Sequence, residues 1–253
     1  MGEIIRRNAI LRERYDELRA GDLVLGQLNI KPCEEYIFLD LLSRGVEVVP
    51  SPLSQQLSRS KCMQATVFAR FMLPLTSVIR CRKDLVLAAQ QYAARGIGRV
   101  ISKQDRGDCG TGINLWHSME DLYNAVSLNN DFFPFVVQPF LDEATDIRVI
   151  ILDDYQESYW RKNSKSFRNN IHFGGESGAC SLDDRQAVLC KTIMKRGGFP
   201  FAHIDLLVAP DNRTWFSEIS LKGGLKGAGI TPGEYRERLS AFYDRIVRRH
   251  SCK

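Results

Sequence analysis

Much of what this chain could be is excluded by what it lacks. No apolar run approaches the roughly 18 residues of a helical membrane span. The opening "MGEIIRRNAI" has no signal-peptide apolar core. Its sixth residue, Arg6, breaks the myristoylation pattern that Met-Gly would begin. Histidine is scarce, with four residues and no H-x-x-x-H pair, and the seven cysteines include no C-x-x-C. Zinc-site spacing is therefore missing, and an odd, scattered set of thiols suits a reducing cytoplasm better than a disulfide frame. There are no internal repeats and no low-complexity tracts. Net charge is only +5. That favours anionic ligands but gives no case for nucleic acid, and nothing in the chain points to a membrane.

What is there reads as a mixed α/β chain large enough to bury a full core. "EIIRRNAILRERYDELRA" places Ile4, Leu11, Tyr15 and Leu18 at helical spacing and predicts one amphipathic helix over 3–19. "DLVLGQ", "CEEYIFLDLLSRG" and "VEVV" predict a strand–helix–strand unit with parallel strands and a helix closed by Gly45. A single helix is expected over "SQQLSRSKCMQATVFARFM", and another over "RKDLVLAAQQYAARG". Beyond "INLW", Ser118 caps a helix. "FFPFVVQPFL", "TDIRVIILDD" and "ESYWRK" read as strands, the last two joined at Asp153–Asp154. A helix then runs from a Ser181 cap to a stop at Gly197, and a hairpin at 203–220 precedes a final amphipathic helix. Antiparallel hairpins in the second half make that part α+β.

Three stretches carry chemistry. "KQDRGDCGTG" follows the β-branched run "GRVIS" and brings Gly107, Gly110 and Gly112 next to Lys103. Glycines there serve either a plain turn or a phosphate loop whose backbone N–H groups approach an anion. Its spacing matches neither the Walker nor the dinucleotide motif.

In the hairpin, "PDNR" is a turn. With Asp211 and Asn212 as a two-residue loop, Asp205 lies opposite Glu218 and His203 opposite Ser220, all on one face. Facing carboxylates repel, unless a hard cation such as Mg²⁺ lies between them. A register one residue different would instead leave one acid in solvent. The third stretch brings Arg148, Arg161 and Arg168 from adjacent strands and their connections, which suits recognition of developing negative charge.

In order and spacing these pieces resemble the ATP-grasp superfamily, and within it the RimK-like branch of ribosomal-protein glutamate ligases. The shared series is a lysine, then K-x-x-x-G-x-x-G-x-G, Q-x-(F/Y)-(L/I), D-I-R, F-R-x-N-x-H-x-G-G, and a strand Asp with a strand Glu thirteen residues on. It covers roughly 46 to 227. The resemblance implies an α/β (α+β) ATP-grasp fold: two α+β subdomains sandwiching ATP, preceded by a shortened amino-terminal α/β region. Boundaries follow at 1–55, 56–136 and 137–253.

The resemblance also implies roles. Lys61 and Lys103 hold nucleotide phosphates under a flap containing Gly107, Gly110 and Gly112. Gln138, Pro139, Phe140 and Leu141 form the adenine hinge, and Asp146 holds the ribose. Arg161 joins the nucleotide-binding set. Arg148, Arg168 and Asn170 act near the transferred phosphate. Asp205, Glu218 and Ser220 bind Mg²⁺, or Mn²⁺ in its place.

The implied activity is ATP-dependent joining of a carboxylate and an amine through an acyl phosphate, with a peptide or protein as one acceptor option. A nucleotide-binding module without ligation and a phosphotransferase are the alternatives, and a homo-oligomer is left open. The chain departs from the family in Ser60 for Asp, Ser220 for Asn, and "LKGG" for S-S-P-G.

Overall fold

Three short parallel strands come first in the architecture. The structure, a computed structural model, describes residues 2–107, 112–169 and 174–252. β1 (Ile4–Ile5), β2 (Leu23–Leu25) and β3 (Glu47–Val49) pair in the order β1-β2-β3, all parallel. α1 (Asn8–Glu13) and α2 (Tyr36–Ser43) connect them and close a small core around Leu11, Val24, Phe38 and Leu41. The single helix expected over 3–19 is thus divided. Ile4 and Ile5 pair with β2 as a strand, because a parallel sheet can bury that β-branched pair beside Leu23 and Val24. The helix closed by Gly45 is as expected, with Gly45 in the left-handed region.

Where one helix was expected over 54–72 there are two, α3 (Pro52–Leu57) and α4 (Lys61–Val67). Ser60 breaks them apart. Its hydroxyl accepts from the Met63 amide, so it starts a new helix rather than continuing the old one.

A four-stranded antiparallel sheet follows, in the order β4-β7-β5-β6. Its strands are β4 (Ser77–Ile79), β5 (Val100–Gln104), β6 (Ile113–Trp116) and β7 (Phe135–Pro139). α5 (Arg82–Ala93) and α6 (Met119–Val126) cover one face around Leu85, Tyr92, Leu122 and Phe135. The boundary expected at 136/137 falls inside β7, whose whole length belongs to this sheet.

The third sheet has five antiparallel strands, ordered β10-β9-β8-β11-β12. They are β8 (Thr145–Leu152), β9 (Tyr155–Lys162), β10 (Glu176–Ala179), β11 (Phe201–Val208) and β12 (Thr214–Ser220). α4, expected with the four-stranded sheet, meets β4 and β7 of that sheet and also β12 of this one, so it joins the two. Leu57, Ala65 and Phe68 join Val149, Ile204 and Phe216 in the largest core, where the Phe68 and Phe216 rings meet edge-on at 5.1 Å.

α7 (Asp184–Gly197) begins at Asp183, not Ser181, because Asp183 and Gln186 form a reciprocal capping box. It ends at Gly198, whose φ of 65° lies in the left-handed region, so Gly197 is the last helical residue rather than the stop. α8 (Pro232–Ser251) closes the chain. Among the described residues, no helix is long and apolar enough to cross a membrane.

Candidate active site

The two large sheets face each other across a cleft of about 1190 Å³. Ten lysines and arginines line it against four acids, Glu143, Asp146, Asp205 and Glu218. The excess of positive charge in this one cleft thus exceeds the +5 of the whole chain.

Lys61 and Lys103 reach it from different elements. Lys61 is the first residue of α4, and its ammonium donates to the Gly107 carbonyl and stands 3.4 Å from Glu218 Oε1. Lys103, on β5, is buried and donates to Ser217 Oγ at 3.3 Å. Burial lowers its pKa, while the charge of Glu218 acts in the opposite direction.

Asp105, which sequence reasoning passed over, ties the start of the glycine loop to α4. Its Oδ1 accepts from Ser60 Oγ and from the Cys62 amide, each at 2.8 Å, and its carbonyl accepts from the Lys61 amide. The stretch "KQDRG" carried no signal of this, because Asp105 and the start of α4 are more than forty residues apart and only the fold brings the acid to those amides, where it is a charge-assisted cap.

Gly112 closes the loop in the left-handed region at φ 72°, and its carbonyl accepts from the Gln104 amide. A Cβ there would come within 2.7 Å of the Gln104 side chain. Gly110 and Asn170 lie outside the described residues.

Gln138, Phe140 and Leu141 line the cleft at the end of β7, whereas Pro139 does not. The Phe140 amide donates to the Arg99 carbonyl, and the Arg99 guanidinium stacks 4.8 Å above the Phe140 ring. Arg168 also lines the cleft. It donates to the Ile113 carbonyl of β6 and stacks on Phe167 at 4.3 Å, linking the 163–169 segment to the four-stranded sheet.

The hairpin has the expected pairs, Asp205 opposite Glu218 and His203 opposite Ser220. The metal roles drawn from the resemblance meet a different environment. Arg148 donates to both oxygens of Asp205 at 2.8 Å, and Arg161 adds a contact at 2.9 Å. Arg161 also donates to Asp146 Oδ1, at 3.0 Å through its Nε.

Burial would raise the Asp205 pKa, but the two guanidinium groups outweigh it and hold the carboxyl well below the usual range. Asp146 is pushed up to about 6, chiefly by burial and then by the charge of Asp205, against the pull of Arg161. Ser220 donates to the Lys222 carbonyl at 2.8 Å. His203 Nε2 lies 3.1 Å from the Tyr235 hydroxyl, Nδ1 is buried without a partner, and burial pushes the imidazole down to about 4.

Among the described residues, no group of three His, Cys, Asp or Glu side chains can hold a metal by itself. The donor set still suits one hard cation that arrives with phosphates. A carboxylate offers about four lone-pair sites, Asp205 commits three to guanidinium groups, and Glu218 stands opposite. Mg²⁺ takes one or two carboxylates plus substrate phosphates, not a complete protein cage.

Solved structures share this fold. D-cycloserine synthetase DcsG superposes with a TM-score of 0.64 at 13% identity, covering 87% of this chain and 84% of that one. The macrocyclase MdnC bound with precursor peptide MdnA, from Microcystis aeruginosa MRC, gives 0.58 at 16% identity, covering 90% and 78%. The fold is ATP-grasp. The RimK-like ATP-grasp domain matches residues 57–233, and the chain belongs to that family.

A probable alpha-L-glutamate ligase of Rhodopirellula baltica is 27% identical over 177 residues, 67% of this chain and 43% of its own length. The coenzyme gamma-F420-2:alpha-L-glutamate ligase of Methanocaldococcus jannaschii is 22% identical over 172 residues, 66% of this chain and 58% of its own. The chain therefore spans about half the length of these curated relatives.

Proposed function

We propose that this chain is an ATP-dependent carboxylate–amine ligase. The observation that carries the reading is the convergence of Lys61 and Lys103 on Glu218, in a cleft whose lining is dominated by cations. Such a lining suits a polyphosphate, and positioned cations are what phosphoryl transfer asks of a protein.

In this reading Lys61 and Lys103 hold nucleotide phosphates beneath the glycine loop, and Gln138 to Leu141 receive the base. Asp146 faces the ribose. Arg148, Arg161 and Arg168 surround the point where a substrate carboxylate takes the phosphoryl group. An amine then attacks the acyl carbon, phosphate leaves, and the amine loses a proton. Mg²⁺ or Mn²⁺ would be held by Glu218 and Asp205 and would screen phosphate charge. The named relatives make glutamate the first amine to test, with a peptide as one carboxylate partner.

The test is ADP release in a screen of carboxylates and amines. Turnover that needs both partners supports the ligase. Nucleotide binding with no turnover across the screen would overturn it in favour of a binding module, the reading favoured by the arginine clamp on Asp205. ADP release with a carboxylate or hydroxyl acceptor alone would favour a phosphotransferase.

A further inference from the structure

The chain leaves β12 through "LKGGLKGAGI", residues 221–230, which starts where the resemblance has the uncharged S-S-P-G. Both ends of this segment are pinned. The Leu221 amide donates to Ser58 Oγ at 2.9 Å, and the Gly229 and Ile230 amides donate to the Glu157 carboxylate. Between them Leu225 and Ala228 pack against Ile150 and Tyr159. Asp146, Arg148 and Ile150 alternate along the cleft face of β8. The segment covers the last of these, about 13 Å beyond Asp146 at roughly 3.3 Å per residue. It therefore closes the end of the cleft away from Gln138 to Leu141 and Asp146.

Its hydrogen bonds are divided unequally. The carbonyls of Lys222, Gly224 and Leu225 accept from Ser220 Oγ, Arg148 Nη1 and the Ala228 amide. The amides of residues 222–227 donate to nothing among the described residues. Lys222 and Lys226 are exposed, line the cleft and make no ion pair there among the described residues. Beneath them His203 is 2% exposed, and its Nδ1, without a partner, lies 2.6 Å from where a Cβ on Gly223 would stand. When Nε2 accepts from the Tyr235 hydroxyl, Nδ1 carries the hydrogen and is one more donor.

The acids on this face of the sheet are already engaged. Glu218 pairs with Lys61, Asp205 with Arg148 and Arg161, Asp146 with Arg161, and Glu157 with the segment's own amides. The carbonyls are thus consumed by the protein, while a run of amides and two ammonium groups is left without acceptors. Consecutive free amides with adjacent lysines are the chemistry that holds a compact anion.

We infer that residues 222–227 form an anion subsite at the substrate end of the cleft, where Lys222, Lys226 and the free amides hold a phosphate or carboxylate group that a ligation substrate carries away from its reacting atoms. Assigning the anion to a ligation substrate rests on the ligase reading; the anion site itself does not. Lys222 and Lys226 are then specificity-determining residues that select a charged substrate over its neutral counterpart.

The experiment uses the full chain, with and without a saturating non-hydrolysable ATP analogue and Mg²⁺. Inorganic phosphate, glutarate and uncharged glutaramide are titrated by calorimetry. Phosphate or glutarate should bind saturably with the analogue in place and glutaramide should not, and the tighter anion names the group. Lys222→Gln with Lys226→Gln should weaken that anion at least roughly tenfold, the scale of a charge-assisted contact at a partly exposed site. The same pair changed to Arg should retain it, and affinity for the analogue should be unchanged in both variants. Absence of anion binding, or binding indifferent to the double Gln change, would overturn the subsite. A parallel loss of analogue affinity would also overturn it, by making the two lysines part of the nucleotide site. A wild type that fails to bind the analogue would instead overturn the nucleotide reading, and the titrations without analogue would still decide the subsite.

Discussion

Asp205→Asn separates two roles for the same carboxylate. Asp205 touches Arg148 through two hydrogen bonds and Arg161 through a third contact, and the side chains are 12%, 19% and 6% exposed respectively. Removing one partner from a buried pair costs about 3–5 kcal/mol, because the other charge is left uncompensated. Arg161 keeps Asp146 and Arg148 keeps the Gly224 carbonyl, so the lower end, about 3 kcal/mol, is expected. With a urea slope near 3 kcal/mol per molar for a chain of this size, the midpoint should fall by about 1 M.

Glu218→Gln is the control. It breaks only the 3.4 Å pair with Lys61, whose acid is 35% exposed, and should cost less than about 1 kcal/mol. The pH dependence has a definite sign. The folded-state pKa of Asp205 is depressed, so its contribution is complete above the unfolded value of about 3.9 and is lost as pH falls toward the folded one. The gap between wild type and Asp205→Asn should be full at pH 7 and narrow below about pH 4. An Asp205→Asn protein as stable as Glu218→Gln at pH 7 would refute the clamp and return Asp205 to service as a metal ligand alone.

Gly223→Ala should destabilise by about 1–3 kcal/mol through collision with the His203 ring. Combination with His203→Ala should recover part of the loss, and strictly additive effects in urea melts would remove that contact from the account. His203 is held down to about 4 from an ordinary 6.5, so the unfolded chain takes its proton first and stability should fall by about 3 kcal/mol between pH 6.5 and pH 4. His203→Asn should flatten that slope, and an equal slope in both proteins would acquit the imidazole. Lys103→Met removes a buried cation whose pKa burial depresses. Thermal melts should show no loss of stability while affinity for an ATP analogue drops at least tenfold, and a fall of several degrees with affinity retained would make Lys103 a structural residue.

The hairpin shows how far local pattern carried and where it stopped. Side-chain alternation and turn residues were enough to put Asp205 opposite Glu218, but the route differs. The turn is a three-residue loop, Pro210 to Asn212, with Ala209 and Arg213 hydrogen-bonded across it and Asn212 in the left-handed region. That loop alone would shift every pair by one residue, and near the turn it does: Leu206 faces Phe216 and Val208 faces Thr214. A bulge at Ser217 then restores the expected pairs at Asp205 and His203.

A bulge has no signature in residue type here, so the sequence could not show it. Its consequence is chemical. Ser217 and Glu218 are neighbours in the chain, yet both line the cleft, where regular alternation would have turned one away. Lys103 meets Ser217 and Lys61 meets Glu218, so one extra residue in a strand lets two lysines from separate elements dock side by side. The arginine clamp was hidden for a related reason. Arg148 and Arg161 lie 57 and 44 positions from Asp205, and only the pairing of β8 with both β9 and β11 brings the three together. Residue types announced a gathering of cations; which acid each would hold depended on strand order and one bulge.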